Sequence, residues 1–389
     1  MKSEIFKMKK SYINQYDKLI SEVEQKEKIK IYKLNIGQPD IKTDKSYFYG
    51  LRKFVNKINK YGECKGEKKL RIEFSNYYNE RLNWNKYNED NIQITLGASD
   101  AIINVLSIIC NKGDYIFVLE PFFSDYKMYC NILGVNIIGI NIKDLVEEKI
   151  NNKYNCKAIL FSHPNNPDGH ILSKKERQKI LEFAINNNLY IISDEVYNEI
   201  VFNDNFISMS VYNYNKIIII DSISKKFSNC GARIGALITE NEKILENIVK
   251  IYDARIAISN AEQYAIINMF QRRKRIIKKI LKIYRKRKQK IEEYLKNQSI
   301  IKYQKPDGGT FFLLDLPIQN AEKFAEWVLK TYRNNNKTVC VLPANDFYKK
   351  SKKNNQIRLT ITNNSKYTIE ALKLLEEAIF KYKKEVENE

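Results

Sequence analysis

The sequence predicts an α/β protein: a mostly parallel sheet with helices on both faces, joined to a smaller α+β domain. Three observations carry this. Short, continuously apolar runs alternate with helix-like stretches from about residue 48 to about residue 258: "YIFVLE" (115–120), "KAILFS" (157–162), "LYIISD" (189–194), "KIIIID" (216–221) and "GALIT" (235–239). Strands apolar on both faces and separated by helices belong to a sheet covered on both sides. Ser173 and Glu176 stand at capping-box spacing at the head of a helical pattern that runs to Asn186. Polar and cationic residues gather just past the strand ends, in "HPNNPDG" after 162, "DEVY" from 194 and "SISKK" after 221. Ligands of such sheets sit at the carboxyl ends of the strands.

The remaining elements follow in order. Residues 11–30 read as an amphipathic helical arm, and "IYKLNIGQPD" as a short strand ending in Gly37 and Pro39. Residues 262–294 read as one long helix with Ile276, Ile277, Ile280, Leu281 and Tyr284 on a stripe, its many Lys and Arg forming a solvated face. "FFLLDLP", "TVCVLP" and "QIRLTIT" read as strands, with helices around 320–333 and 366–384. The Asn-rich patches 333–336 and 353–355 read as loops, and no internal repeat is visible. The expected division is an N-terminal arm with part of the small domain (1–47), a large domain carrying the main sheet (48–260) and a C-terminal small domain including the long helix (261–389).

Composition narrows the function classes. The 389 residues are 43% hydrophobic and 29% charged, as in a globular protein. The formal charge of +21 accompanies abundant Lys, Asn, Ile, Tyr and Phe and scarce Gly, Pro and Trp. That mixture follows A/T-rich codons, so no specific nucleic-acid partner is expected. The six cysteines are scattered without CxxC spacing, which suits reduced thiols and no metal site. Only His163 and His170 are present, so a Ser-His-Asp triad is hard to build, although His163 alone could act as a base. The N-terminal stretch has no apolar core of signal-peptide length and no run is long enough to span a bilayer. A cytoplasmic protein is expected.

A lysine with a depressed pKa can attack a carbonyl and hold it as a Schiff base. If that carbonyl belongs to pyridoxal phosphate, the protein must add an acid for the pyridine nitrogen, donors to the ring phenolate, a stacking aromatic and a phosphate cradle. All five have candidates at the strand ends. Eight stretches, "LNIGQPD", "YGECKG…LR", "TLGASDA", "PFFSDY", "HPNNPDG", "SDEVY", "SISKKFSNCGARIGAL" and "IRLTIT", stand in one family's order and spacing from about residue 31 onward. The chain resembles a class I, fold-type I, pyridoxal-phosphate-dependent aminotransferase, most nearly the bacterial aspartate aminotransferase-like branch.

The resemblance implies pyridoxal 5'-phosphate as cofactor and assigns roles by motif. Lys225 would be the Schiff-base lysine and proton shuttle, with Lys226 an ordinary surface charge. Ser222, Ser224 and Arg233 would hold the phosphate, together with Ala98 and Ser99 following Gly97 at a helix start. Asp194 would sit beneath the pyridine nitrogen, Asn166 and Tyr197 beside the phenolic oxygen, and Phe123 against the ring. Tyr61 would reach the partner's phosphate in a homodimer. Arg358 would bind the substrate α-carboxylate, assisted by Asn166 and the backbone of Gly37, and Arg255 is the candidate for a distal carboxylate. The implied reaction is ping-pong transfer from an L-amino acid, L-aspartate first, to a 2-oxo acid, 2-oxoglutarate first.

Some positions depart from the pattern. Asp168 stands where "NPTG" has threonine, and reads as a turn residue; "SYIN" replaces an N-terminal "SPIR", and "PANDFY" replaces "PGxxFG". Alternative readings are an aminotransferase for aromatic or branched-chain amino acids, a cystathionine-type lyase, and a non-enzymatic effector-binding regulator. About 30 residues ahead of the matched region are too few for a complete DNA-binding module.

Overall fold

The structure is a computed structural model, and it describes residues 12–55, 59–203, 205–351 and 353–387. Ser11 of "SYIN" and the side chains of Tyr12 to Asn14 lie outside the described residues.

The helix Tyr12–Lys26 leads into β1 (Lys30–Lys33). Seven strands then form the main sheet: β2 (Ile92–Thr95), β3 (Tyr115–Glu120), β4 (Asn136–Asn141), β5 (Ala158–Ser162), β6 (Tyr190–Asp194), β7 (Ile217–Ser222) and β8 (Gly235–Ile238). Their order is β2-β8-β7-β6-β5-β3-β4. The pairings β7-β6, β6-β5, β5-β3 and β3-β4 are parallel, while β8 runs antiparallel between β7 and β2. The sheet is therefore mostly parallel, with helices on both sides.

Side chains along a strand alternate between faces, and here both faces are dry. Ile217 and Ile219 join one hydrophobic cluster, Ile218 and Ile220 the other. That is why β7 carries no polar residue from Ile217 to Ile220. The predicted helix after Ser173 runs Lys174–Asn186, with both capping-box hydrogen bonds formed.

The C-terminal part adds β9 (Lys302–Tyr303), β10 (Phe311–Asp315), β11 (Lys337–Cys340), β12 (Leu342–Pro343) and β13 (Gln356–Thr360). One small sheet has the order β12-β13-β10-β9, and β1 pairs in parallel with β11. The start of the chain is thereby hydrogen-bonded to its C-terminal third.

The single helix expected over 262–294 is two helices, Asn260–Phe270 and Arg273–Lys296. Arg272 leaves helical geometry at φ −118°, ψ 13°. The two halves need different environments. The first is buried from Ala265 to Phe270, where Gly50 of the neighbouring helix approaches so closely that a Cβ there would lie 2.6 Å from the Ala265 Cα. The second buries only a stripe, Ile276, Ile280, Tyr284, Lys288, Ile291 and Leu295, and shows its cations to solvent. Among the described residues no helix is long and apolar enough to cross a membrane.

Candidate active site

A cavity of about 310 Å³ opens at the carboxyl edge of β5, β6 and β7. Lys225 enters it from the short helix Ile223–Lys226, which begins where β7 ends. Its ammonium-forming Nζ donates to the Gly37 carbonyl at 3.0 Å. Burial depresses the Lys225 pKa, and the guanidinium groups of Arg358 and Arg233 act in the same direction. An amine held this way is nucleophilic and can carry a proton.

Asp194 ends β6 beside it, 5% exposed. One carboxylate oxygen accepts the Tyr126 hydroxyl at 2.7 Å, the other the Val196 N–H at 3.4 Å. Burial pushes its pKa up to about 6, against the stabilising Tyr126 hydroxyl. Tyr197 is buried three residues on, packed edge-to-face on Phe311 at 5.6 Å, and burial raises its phenol pKa.

Arg358 reaches the same cavity from β13 and is 2% exposed. Its guanidinium donates to Asn166 Oδ1 at 3.1 Å and to the Asn35 carbonyl at 2.9 Å, and lies 4.4 Å from the Phe311 ring centroid. Its Nε has no partner. Burial lowers its pKa to about 10, opposed by Tyr197 and Asp125. Within salt-bridge distance, no carboxylate meets it among the described residues. A buried, half-satisfied guanidinium is costly unless an anion completes it.

On the other side of Lys225 the walls suit a phosphate. Gly97 has φ +81°, and a Cβ there would fall 2.6 Å from an Arg233 guanidinium nitrogen. It precedes the helix Ala98–Ile109, whose first N–H groups receive no side-chain cap. Ser99 Oγ accepts the Tyr129 hydroxyl at 2.7 Å, and Ser222 Oγ and Ser224 Oγ lie 2.8 Å apart. Arg233 donates to the carbonyls of Cys230 and Leu96 and forms no salt bridge to a described residue. Positive partial charge at the helix start and a guanidinium without a carboxylate partner among the described residues make an anion cradle.

Gly37, Ala98, Ser99, Phe123, Asn166, Asp194, Tyr197, Ser222, Ser224, Lys225, Arg233 and Arg358 all line this one cavity. Gly97 stands behind Arg233. Two candidates lie elsewhere. Tyr61 is 83% exposed, and Arg255 is engaged by the Asp100 carboxylate at 2.5 and 2.7 Å while lying over the Tyr252 ring. Sequence reasoning missed Tyr126, Tyr129 and Phe311. The first two follow Phe123 at helical spacing in "PFFSDYKMY", a signal that was present.

Two readings need correction. Lys226 is not a surface charge: it is 1% exposed and its Nζ lies 2.5 Å from Asp221 Oδ2. His163 is not placed as a base. It is fully buried, with one ring nitrogen against the Ile207 carbonyl and the other facing the Leu172 N–H, and burial lowers its pKa to about 3. Among the described residues no group of three or more His, Cys, Asp or Glu is arranged to hold a metal ion.

A profile for aminotransferases of class I and II matches residues 29–373. The chain belongs to this family. It is a pyridoxal-phosphate-dependent aminotransferase. It is 29% identical over 358 residues to a (5-formylfuran-3-yl)methyl phosphate transaminase of Methanocaldococcus jannaschii, covering 90% of this chain and 92% of that protein. It is 27% identical to an aspartate aminotransferase of Thermotoga maritima, covering 89% and 91% of the two chains. A solved structure from Methanococcus jannaschii, described as similar in its active site to kynurenine aminotransferases, superposes with a TM-score of 0.86 at 27% identity. That match covers 97% of this chain and 100% of the other.

The cavity fits the family's cofactor on its own terms. It offers an amine of depressed pKa, a buried acid, a buried phenol and an anion cradle whose Arg233 guanidinium a Cβ at Gly97 would displace.

Proposed function

We propose that the enzyme moves an amino group from an L-amino acid to a 2-oxo acid, with Lys225 as the proton-transferring base and Arg358 as the anchor of the substrate α-carboxylate. The observation that carries this reading is the buried Arg358 guanidinium, short of one partner and in the same cavity as the Lys225 amine.

Pyridoxal 5'-phosphate supplies an electrophilic carbonyl and an electron-accepting ring. The chain's own residues do the rest. Gly97, Ala98, Ser99, Ser222, Ser224 and Arg233 would hold the phosphate. Asp194 would keep a proton on the pyridine nitrogen, with Asn166 and Tyr197 donating to the phenolic oxygen and Phe123 packing on the ring. Arg358 and Asn166 orient the substrate carboxylate. Lys225 Nζ, its pKa lowered by burial, would take the proton from the substrate Cα in one half-reaction and return a proton to that position in the other.

L-Aspartate and 2-oxoglutarate are the proposed pair, supported by relatives named aspartate aminotransferase. One observation favours a second reading, an uncharged or aromatic side chain. Arg255 is held by Asp100, and Ile36, Phe123, Tyr129 and Phe311 line the cavity. A cytoplasmic homodimer is proposed as well; the exposed apolar residues Phe48, Tyr49, Val55 and Tyr61 support a self-association surface. Steady-state kinetics with both substrates varied tests the function. Parallel double-reciprocal lines with aspartate and 2-oxoglutarate are expected, and intersecting lines or no turnover with any amino donor would refute it.

A further inference from the structure

Directly behind Lys225, on the side of its helix away from the cavity, lies a buried charge network. Asp221 Oδ2 receives Lys226 Nζ at 2.5 Å, the Tyr78 hydroxyl at 3.1 Å and Asn198 Nδ2 at 3.4 Å. Its Oδ1 receives the Ser222 N–H at 2.7 Å. Both side chains of the ion pair are 0% exposed, and the Lys226 ammonium sits 4.1 Å from the Tyr77 ring centroid. One carboxylate thus grips both ends of the segment that carries Ser222, Ser224 and Lys225.

The segment needs such a grip. The helix Ile223–Lys226 is four residues long, and a single helical turn has too few internal hydrogen bonds to hold its own geometry. A buried ion pair adds little net stability over an apolar pair of the same volume, because desolvation offsets the attraction. What it can add is a fixed arrangement, since its partners must meet at one distance and angle. Side chains of consecutive residues on a turn point in different directions. Fastening Lys226 inward therefore leaves Lys225 directed to the Gly37 carbonyl, 3.0 Å from its Nζ.

We propose that Lys226 and Asp221 form an internal clamp that positions the Lys225 amine for capture of the cofactor. Lys226 is a positioning residue and touches neither cofactor nor substrate. The proposal rests on Lys225 being the cofactor-binding amine, and its test separates the two.

Cofactor-free protein is mixed with pyridoxal phosphate, and growth of the visible absorption band of the lysine-bound cofactor is followed in time. The double variant Asp221→Asn/Lys226→Met removes both buried charges together, so no unpaired charge remains. Its melting temperature is expected within about 4 °C of the parent. Band growth is expected to slow about tenfold or more, since displacement of a reacting group by an ångström costs on the order of that or greater. Growth at the parent rate in the folded double variant overturns the clamp alone. Absence of any band in the parent overturns the assignment of Lys225 and the clamp with it. Should the double variant not fold, Tyr78→Phe removes one hydroxyl from Asp221 with little change in volume. It is expected to slow band growth about twofold, and an unchanged rate there overturns the clamp.

Discussion

The interior of the main sheet and its carboxyl edge obey opposite rules. Within β7 the residues Ile217 to Ile220 are buried, apolar and divided between two hydrophobic clusters. Immediately beyond them, Asp221, Ser222, Ser224 and Lys226 are equally buried but polar, and Lys225 faces the cavity. The interior is stabilised by what it removes from water. The edge instead accepts the cost of burying charge, at Asp194, Arg358 and Lys226, to hold reactive groups at fixed positions. Stability and chemistry meet within a single strand, and substitutions on either side of that boundary should fail in different ways.

The largest effect is expected at the edge. Lys225→Ala should leave the fold intact, with a melting temperature near that of the parent, and abolish transamination in a coupled assay. In the interior the pattern reverses. Ile219→Ala, in the middle of β7, should cost about 2–5 kcal/mol in denaturant unfolding, while the protein that remains folded keeps its cofactor spectrum. Arg358→Leu should lower kcat/KM by about 100-fold, mainly through KM, because a charge-assisted hydrogen bond contributes about 1.5–3 kcal/mol; cofactor binding should be unaffected.

A pH titration sharpens the comparison further. Asp194 has its folded pKa raised to about 6 by burial, above the ordinary aspartate value of about 3.9. The folded carboxyl thus binds its proton more tightly than the unfolded one. Its contribution to stability is fully present below about pH 4 and is lost as pH rises through about 6. If Asp194 pairs with the pyridine nitrogen as proposed, cofactor binding needs its carboxylate, and affinity for pyridoxal phosphate should fall as pH drops through about 6. A flat affinity across that range would separate Asp194 from the pyridine nitrogen. The smallest effect is expected far from the edge, at the capping box: Ser173→Ala should cost about 1 kcal/mol of stability and leave kcat unchanged.

How much of this was legible in the sequence follows from the same boundary. The interior strands announce themselves, because a short β-branched run such as the four isoleucines of "KIIIID" favours a strand covered on both faces. "NIIGIN" was not read as a strand because asparagine stands at both ends and glycine in the middle, yet it forms the edge strand β4. The helix break at Gln271 and Arg272 was hidden because the polar run from Gln271 to Arg275 holds no Gly or Pro, while the close approach of Gly50 to Ala265 involves a residue more than two hundred positions earlier. At the edge, Lys225, Asp194 and Arg358 were legible because each stands at the carboxyl end of a predicted strand or within a distinctive motif. The burial of Lys226 was not. It depends on Tyr77 and Tyr78, more than a hundred residues earlier in the chain and brought near only by folding. Arg255 shows the same limit, since its salt bridge to Asp100 crosses a comparable sequence distance.

The measurement that tests the central claim most directly is the absorbance spectrum of the cofactor-loaded enzyme before and after addition of L-aspartate without any 2-oxo acid. The predicted result is loss of the lysine-bound cofactor band and appearance of the aminated cofactor band, with Lys225→Ala failing to make the conversion. A loaded enzyme whose spectrum no L-amino acid changes, or a Lys225→Ala variant that converts at the parent rate, would contradict the assignment of Lys225 as the transferring base.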